Sequence, residues 1–371
     1  MLGRARPADR QPRLGGSGDD AGAHDAPSVR RFVEKVNCST IGPLDVRLVR
    51  EGEIRRLIGP SEALAEVRQV FVKLAHGEVD LPSVLDFDIK EHRGESHVKG
   101  AYIHGSPFFS VKEAAGFYGN SDRGLSVTSG LILVFDATTG FPAAILLDNG
   151  YLTELRTGAA GALAAESLAR AELQRVAVIG SGGQARYQLE ALLEVRRPRS
   201  VVVYGRTEER ADAYAREMES RFDLPVQSAK SVREAVEGAD LVITTTPSRE
   251  PIVAAEWLSP GTHVTAVGAD LAEKQELDVQ VLARADKVVA DRLEQCARQG
   301  EIHHAIDSGA LKLEDVYAEL GQIAAGEKAG RESEDELTVA DLTGLGVQDA
   351  AVANYVCARA RELGVGEALA L

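Results

Sequence analysis

The fold is decided by residues 175–185, which read RVAVIGSGGQA. Four apolar residues lead into a G-x-G-x-x-A pattern, the fingerprint that joins a strand to a helix in dinucleotide-binding units. Its first glycine permits a tight turn, its second lets the backbone approach a pyrophosphate, and its small last residue allows close packing of helix on strand. The residues that we expect to contact a dinucleotide here are Gly180, Ser181, Gly182, Gly183, Gln184 and Ala185.

The sequence around this turn supplies the rest of a βαβ unit. A helix is expected over 185–195, with its free N–H groups and positive dipole end directed at the phosphates. A second strand is expected at Ser200–Tyr204, SVVVY. An ordinary glycine-rich turn is the alternative interpretation, and the flanking strands and helix argue against it.

Strands and helices continue to alternate after this unit. Further strands are expected at 241–245, 263–267 and 287–290, with helices at 208–222, 232–237 and 278–285 between them. Such alternation predicts a parallel sheet covered on both faces. The sequence therefore predicts an α/β protein with a Rossmann dinucleotide-binding domain at 169–318.

The flanking segments have a different pattern. Apolar periodicity predicts a helix over 61–76, and small residues dominate a second predicted helix over 154–168. The short β-like and apolar runs between them lie at 84–89, 97–103, 108–112, 131–135 and 143–147. We expect an α+β domain at 45–168, to which residues 319–371 return with helices at 315–325 and 347–363. Residues 1–44 are expected to be a disordered extension, because residues 1–30 are rich in Arg, Gly, Asp and Pro. An artefact of the choice of start codon is the alternative interpretation.

Composition excludes several classes of function. The formal net charge of −15 over 371 residues argues against nucleic acid as a main partner, because phosphate binding needs clustered Lys and Arg. The three cysteines have no metal-ligand spacing, and their odd number rules out a complete disulfide framework. No apolar run approaches the roughly 20 residues of a membrane span, and residues 1–30 lack the apolar region of a secretory signal. A cytoplasmic protein is therefore expected.

The end of the second strand bears on the type of nucleotide. An acidic residue there would favour NAD through the ribose 2′-OH. This chain has Arg206 and Thr207 instead, which suit a 2′-phosphate, so we favour NADP over NAD. The alternative is that Arg206 only solvates a loop and the site takes either cofactor.

Two further strand ends are expected at the same edge of the sheet. Ligands of open parallel sheets bind outside the carboxyl ends of the strands. We therefore expect the cofactor to contact Thr244, Thr245, Thr246, Val267 and Gly268. Asp270 would follow at the crevice as a proton-transferring carboxylate. Strand-end caps for the threonines and a turn for Asp270 are the structural alternatives.

Lys112 and Arg156 are the cationic candidates of the first domain. Lys112 ends an apolar run, FFSVK, and Arg156 lies in a helix of small apolar residues. A buried arginine needs a partner, for which a substrate carboxylate and a structural Asp or Glu are the two alternatives. The doublet at 303–304, HH, has no companion ligands at a recognisable spacing, so no metal site is expected.

Together these segments resemble the ornithine cyclodeaminase/mu-crystallin family. The resemblance rests on LLDNGYLTELRTGAAGALAAESLAR, VAVIGSGGQAR, TTTPSREP, HVTAVGADLAEKQELD, GEIHHAI and LTVADLTGLGVQDAAVA, in order over about residues 80–355. Within the family, the greatest resemblance is to the branch associated with ectoine utilisation, through DIKEHRGESHVKGAYIHG, LLDNGYLTELRT and AEWLSPGTHVTAVGAD. Iminosuccinate reductases of the same family share the GE..HAI and GVQD segments less completely.

The resemblance implies a homodimer in which the first domain binds substrate and dimerises, and hydride transfer at the α-carbon of an amino acid. By motif, Arg156 resembles the arginine that holds the substrate carboxylate. Lys112 resembles the lysine that contacts the substrate and polarises its carboxylate or imine, and Asp270 resembles the acid–base aspartate. Relatives with cyclodeaminase activity commonly carry a second carboxylate-binding arginine after a Pro-Pro pair. Here residues 81–90 read LPSVLDFDIK, which argues against ornithine itself as the substrate.

Three functional hypotheses follow from these residues. The first is a cyclodeaminase that releases ammonia from a diamino acid while recycling NAD(P). The second is an NAD(P)H-dependent imino-acid reductase or amino-acid dehydrogenase, acting on iminosuccinate or a cyclic imine. The third is a non-catalytic NADP-binding protein of the crystallin type. A substrate-side acid that receives a distal ammonium would favour the first, and Asp86, Asp88 and Asp148 are the candidates.

Overall fold

The computed structural model describes residues 45–370, so the expectation for residues 1–44 lies outside the described residues. Its strands form two sheets of eight strands each. The strands are β1 (Asp45–Arg50), β2 (Val79–Asp80), β3 (Leu85–Ile89), β4 (Gly94–Ile103), β5 (Phe108–Phe117), β6 (Thr128–Asp136), β7 (Pro142–Leu147), β8 (Arg175–Ile179), β9 (Ser200–Tyr204), β10 (Val226–Ser228), β11 (Leu241–Thr244), β12 (His263–Ala266), β13 (Lys287–Ala290), β14 (Ala318–Glu319), β15 (Thr338–Asp341) and β16 (Glu367–Ala370).

Eleven α-helices accompany these strands within residues 45–370. They are α1 (Glu51–Leu57), α2 (Pro60–Ala75), α3 (Tyr151–Leu168), α4 (Gly183–Leu192), α5 (Glu208–Phe222), α6 (Val232–Val236), α7 (Val279–Arg284), α8 (Leu293–Cys296), α9 (Glu301–Asp307), α10 (Leu320–Ala324) and α11 (Gly346–Leu363). None of the helices in the described part of the chain is long and apolar enough to cross a membrane.

The first sheet has the order β16-β1-β7-β6-β5-β4-β2, with β3 added beside β4. Its pairs are antiparallel except for β1 with β7. One face is fully buried at Ile132, Val134 and Leu146, in the same core as α2, α3 and α11. Side chains alternate between the two faces of a strand. The other face therefore carries Leu133, Phe135 and their neighbours, which stay partly exposed.

The second sheet is parallel throughout, in the order β10-β9-β8-β11-β12-β15-β13-β14. The chain builds outward from β8 through β9 to β10, and then returns to place β11 on the other side of β8. Such a reversal of strand order opens a crevice at the carboxyl ends of the central strands. The predicted α/β fold with a Rossmann-type sheet is confirmed, and the G-x-G-x-x-A turn leaves β8 beside this crevice.

Several local predictions differ from the structure. The single helix predicted over 315–325 is wrong, because β14 pairs with β13 at the sheet edge and leaves only the five-residue α10. The strand β15 was missed, and it inserts between β12 and β13. Residues 319–370 consequently contribute to both sheets, since β15 joins the second sheet while α11 and β16 pack on the first.

Candidate functional site

Two neighbouring cavities lie at the carboxyl edge of the second sheet. Cavity A has a volume of about 420 Å³, and cavity B a volume of about 330 Å³. Thr245, Thr246 and Pro247, at the end of β11, line both of them. The two cavities are therefore parts of one cleft, which extends from the turn after β8 to the first sheet.

The glycine-rich turn forms one wall of cavity A through Gly180, Ser181 and Gly182. Gly180 has a φ of +118°, and a Cβ atom there would lie 2.4 Å from Thr245 Oγ1, so only glycine fits. Gly182 caps α4, and the first N–H groups of that helix are free to bind phosphate. This geometry fits the pyrophosphate of a dinucleotide.

The end of β9 forms the opposite wall of cavity A. Arg206, Thr207 and Arg210 line it together with Tyr204 and Gly205. Arg206 is exposed and makes no hydrogen bond or ion pair within residues 45–370, so its guanidinium is available to an anionic ligand. The cavity thus offers a helix N-terminus for a pyrophosphate and two arginines for the far end of the nucleotide.

Glu276 forms hydrogen bonds with the ends of both β11 and β12, between the two cavities. Its carboxylate accepts hydrogen bonds from Thr244 Oγ1 (2.7 Å), the Thr246 amide (2.5 Å) and the Gly268 amide (2.8 Å). Burial raises the pKa of Glu276 to about 7, while these hydrogen bonds oppose the rise. Thr244 itself is fully buried. Sequence analysis missed Glu276, because its partners lie 8 to 32 residues away.

Arg156, on α3, lies at the wall of cavity B in a buried ionic cluster. Its Nε donates to Asp349 Oδ1 (2.8 Å), and its Nη1 donates to Gln348 Oε1 (2.7 Å). The other oxygen, Asp349 Oδ2, lies 2.8 Å from Lys112 Nζ. Asp349 and Lys112 have only 1% and 3% of their surfaces exposed. Of the two partners considered for Arg156, a substrate carboxylate and a structural acid, the structure contains the acid, which is Asp349. Arg156 nevertheless lines the cavity.

Burial and neighbouring charges shift the pKa values of Lys112 and Asp349 in this cluster. Burial lowers the pKa of Lys112 to about 8, although Asp349 acts in the opposite direction. Burial alone would raise the pKa of Asp349, but the adjacent Arg156 and Lys112 charges outweigh it and lower that pKa. The cluster therefore holds Asp349 as a carboxylate at neutral pH, with two cations sharing it.

Asp270 follows β12 and lines cavity B beside Thr246 and Gly268. Its Oδ1 lies 2.7 Å from Lys274 Nζ, while about half of the Asp270 side chain (48%) stays exposed. Burial raises the pKa of Asp270, but the Lys274 ammonium outweighs it, so the pKa is lowered overall. Asp270 is therefore ionised at neutral pH and open to the cavity.

The structure thus brings Arg156, Asp270 and most of the predicted cofactor residues to one cleft. Those that line it are Gly180, Ser181, Gly182, Gln184, Arg206, Thr207, Thr245, Thr246, Val267 and Gly268. Among the described residues, the predicted site positions that line neither cavity are Gly183, Ala185, Thr244 and Lys112, and the suggested distal acids Asp86, Asp88 and Asp148 do not line it either.

Sequence reasoning overlooked two lysines, one amide and one acid at or beside cavity B. Lys99 and Lys274 line cavity B, and Gln348 and Asp349 support Arg156 from α11. The signal for the last two was a polar pair, Gln-Asp, inside the otherwise small and apolar start of α11. Within residues 45–370, no group of three or more His, Cys, Asp or Glu side chains could hold a metal ion.

Known proteins share this architecture over nearly the full described length. A cyclodeaminase of Sinorhizobium fredii, itself uncharacterized, is 41% identical over 86% of this chain and 98% of its own length. An archaeal alanine dehydrogenase dimer with bound NAD superposes with a TM-score of 0.82 at 37% identity, covering 88% of this chain and 99% of that one.

A second solved structure is the Δ1-pyrroline-2-carboxylate reductase of Thermococcus litoralis in complex with NADH and L-proline. It superposes with a TM-score of 0.82 at 31% identity, covering 87% of this chain and 99% of that one. The model of the ornithine cyclodeaminase/mu-crystallin family matches residues 45–364. The chain therefore belongs to the ornithine cyclodeaminase/mu-crystallin family.

Proposed function

We propose that this protein is an NAD(P)-dependent oxidoreductase that interconverts an imino acid and the corresponding amino acid. One observation carries this proposal. The glycine-rich turn lines cavity A, Arg156 and Asp270 line cavity B, and Thr245 and Thr246 line both cavities of the one cleft. The similar reductase with NADH and L-proline, and the similar dehydrogenase with NAD, support the same reaction type.

The residues of the cleft divide the work of such a reaction. Bound NAD(P) supplies or accepts the hydride at the α-carbon. The turn at Gly180–Gly182 and the Arg206 loop hold the dinucleotide, and Glu276 keeps the Thr246 and Gly268 amides in place between the cavities. Arg156 binds the substrate carboxylate with the donors that Asp349 and Gln348 leave free.

Asp270 is proposed to move the proton that accompanies hydride transfer. In the direction of amino-acid oxidation, its carboxylate takes a proton from the substrate ammonium, and in the reverse direction it returns that proton to the nitrogen. Asp270 is available for this role because it is ionised at neutral pH and opens to cavity B. Lys274, 2.7 Å away, stabilises the ionised form.

A cyclodeaminase acting on a diamino acid is the second candidate. The observation in its favour is that two carboxylates, Glu95 and Glu154, line cavity B and could receive a distal ammonium. Ectoine degradation would be a suitable setting for this activity, given the resemblance of the β4 region to that branch. Lys112 would then act on the substrate only through Asp349 and Arg156, since it does not line the cavity.

One assay separates these candidates. Absorbance at 340 nm would be followed with amino acids plus NAD(P)⁺ and with imino acids plus NAD(P)H, alongside measurement of ammonia. Stoichiometric change at 340 nm is expected for the proposed oxidoreductase. Ammonia release from a diamino acid without net change at 340 nm would identify the cyclodeaminase, and cofactor binding without turnover would identify the non-catalytic alternative.

The substitution Arg156→Lys tests the carboxylate-binding role. A lysine keeps the charge but cannot reproduce the planar fork that contacts Asp349, Gln348 and a substrate together. We expect kcat/KM to fall by about 10- to 100-fold, the equivalent of one or two charged hydrogen bonds. The exposed Arg55→Lys serves as control. An unchanged kcat/KM would remove Arg156 from the site.

The substitution Arg206→Ala tests the proposed preference for NADP. Loss of the guanidinium is expected to raise the KM for NADPH by about tenfold or more, with little change for NADH, because only NADPH carries the 2′-phosphate. Arg233→Ala, an exposed arginine paired with Glu237 on α6, is the control. Equal effects on both cofactors would show that Arg206 does not read the 2′-phosphate.

A homodimer is proposed as the assembly. The outer face of the first sheet is apolar yet partly exposed, and Leu133, Phe135 and Ile145 form a groove there with β1 and β16. An apolar sheet face of this kind favours association. The similar alanine dehydrogenase is a dimer. Light scattering in solution is expected to give twice the mass of one chain.

A further inference from the structure

Lys99 is a cavity cation that the proposed reaction has not used so far. It lies on β4, directly opposite Lys112 on β5, and its side chain lines cavity B while that of Lys112 does not. Its Nζ donates one hydrogen bond, to the Gly344 carbonyl (2.9 Å). Within residues 45–370, no carboxylate oxygen lies within ion-pair distance of Lys99, so two of the three ammonium donors are unused.

Lys99 and Arg156 meet at the same residue of the chain. Gly344, whose carbonyl binds Lys99, has a φ of +78°, and a Cβ atom there would lie 2.8 Å from Arg156 Nη1. The two cations therefore flank one glycine at the wall of cavity B. Both Arg156 Nε and Nη1 are engaged by α11, whereas Arg156 Nη2 has no protein acceptor among the described residues.

Among the described residues, Lys99 has no ion-pair partner, unlike the cations around it. Lys112 and Arg156 share Asp349, and Asp270 on the other side of the cavity is already paired with Lys274. Burial and the Arg156 charge lower the pKa of Lys99, and Asp349, Asp270 and Asp291 partly offset this. An anion between Lys99 and Arg156 would relieve the repulsion between them and use their free donors.

We propose that Lys99 and Arg156 together bind the carboxylate of the substrate as a two-cation clamp. This proposal rests on the proposed function. Lys99 supplies the second cation of the clamp, since it lines cavity B together with Arg156. Lys112 acts behind the clamp, as the counter-charge that shares Asp349 with Arg156. In this arrangement Lys99 binds substrate, whereas Lys112 is a positioning residue.

The test measures binding directly, so that it does not depend on turnover. Calorimetry with the NADH-loaded enzyme, which cannot oxidise an amino acid, would compare L-alanine, L-proline, L-aspartate and L-2,4-diaminobutyrate with the amides of L-alanine and L-proline. For Lys99→Met we expect the Kd of the carboxylates to rise about 10- to 100-fold, the loss of a charged hydrogen bond. The Kd of the amides and of NADH should stay within about twofold, since neither uses the clamp.

Three further variants complete the design. Lys99→Arg is expected to restore most of the carboxylate affinity, because it restores the cation, and it decides the case if Lys99→Met does not fold. Lys90→Met removes an exposed lysine from the neighbouring hairpin and should leave every Kd unchanged. Lys112→Met is expected to weaken amino-acid binding less than Lys99→Met.

Two results would overturn the clamp. One is equal weakening of carboxylates and amides in Lys99→Met, which would indicate a structural role. The other is wild-type enzyme that binds none of the four amino acids more tightly than the amides. Failure of the proposed function is a separate result, because binding selective for carboxylates without change at 340 nm would retain the clamp while removing the oxidoreductase activity.

Discussion

The substitution Asp349→Asn is expected to lower the free energy of unfolding by about 3–5 kcal/mol, the usual effect of removing one partner from a buried ion pair. Asp349 is the carboxylate shared by Arg156 and Lys112, and it is 1% exposed. Asparagine has nearly the same shape as aspartate, so the lower free energy of unfolding reports the removed charge and not a change in packing. Urea denaturation at neutral pH measures it.

Two controls make this prediction specific. Asp88→Asn removes the acid of an exposed pair, with Lys90, and should cost no more than about 1 kcal/mol. The double variant Asp349→Asn/Lys112→Met should recover part of the loss, because one of the two uncompensated cations is gone. A loss below about 1 kcal/mol in Asp349→Asn would contradict the role assigned to the cluster.

The same variant has a characteristic dependence on pH. Because the pKa of Asp349 is lowered in the folded state, its stabilising contribution is complete above the ordinary aspartate pKa of about 4. That contribution disappears as the pH falls through the lower folded-state pKa. The difference in stability between wild type and Asp349→Asn should therefore shrink below about pH 4.

The substitution Asp270→Asn is expected to reduce kcat by at least about 100-fold while NAD(P) still binds, because general acid–base catalysis commonly contributes factors of this size. Asparagine keeps the shape of the side chain at the cavity wall but cannot carry the proton. Steady-state kinetics would be paired with cofactor titration by fluorescence. Near-normal turnover would exclude Asp270 as the proton-transferring group.

Lys274→Met is the matched variant for Asp270. Its removal leaves the carboxylate in place but takes away the ammonium 2.7 Å from it. The groups that remain around Asp270 include Lys99 and His97, which also lower its pKa, and Glu95, which lies near Lys274. The pKa of Asp270 should rise, so the acidic limb of the kcat/KM profile for amino-acid oxidation should move to higher pH. An unmoved limb would indicate that another group titrates.

The position of cavity A could be predicted from sequence, because the residues that form its walls directly follow two strands of the parallel sheet. The turn at Gly180–Gly182 follows β8 immediately, and Arg206 follows β9 immediately, so the parallel sheet alone places both at one edge. The ends of the strands and helices were less predictable, as were the shortest strands. β15 has only four residues, and it is a strand because it pairs with β12 and β13, which lie on either side of it.

Cavity B could be predicted only in part, because its contacts cross the chain. Arg156 and Asp349 are separated by 193 residues, and Lys99 and Gly344 by 245 residues. Local pattern showed that Arg156 needed a partner, yet it could not choose between a substrate and a structural acid. It also could not show that Lys99, rather than Lys112, reaches the cavity, since both lysines lie in similar strands.

The last residues of the described chain complete the first sheet and its core. β16 adds a strand beside β1, and α11 packs across β4 and β5. During synthesis, a nascent chain that has not yet reached residue 346 carries Arg156 and Lys112 without their shared acid. Long-range closure of this kind is slow, and it leaves apolar surface open to aggregation or chaperones until it is complete. Cavity B is therefore completed last, even though most of the residues that line it precede residue 160.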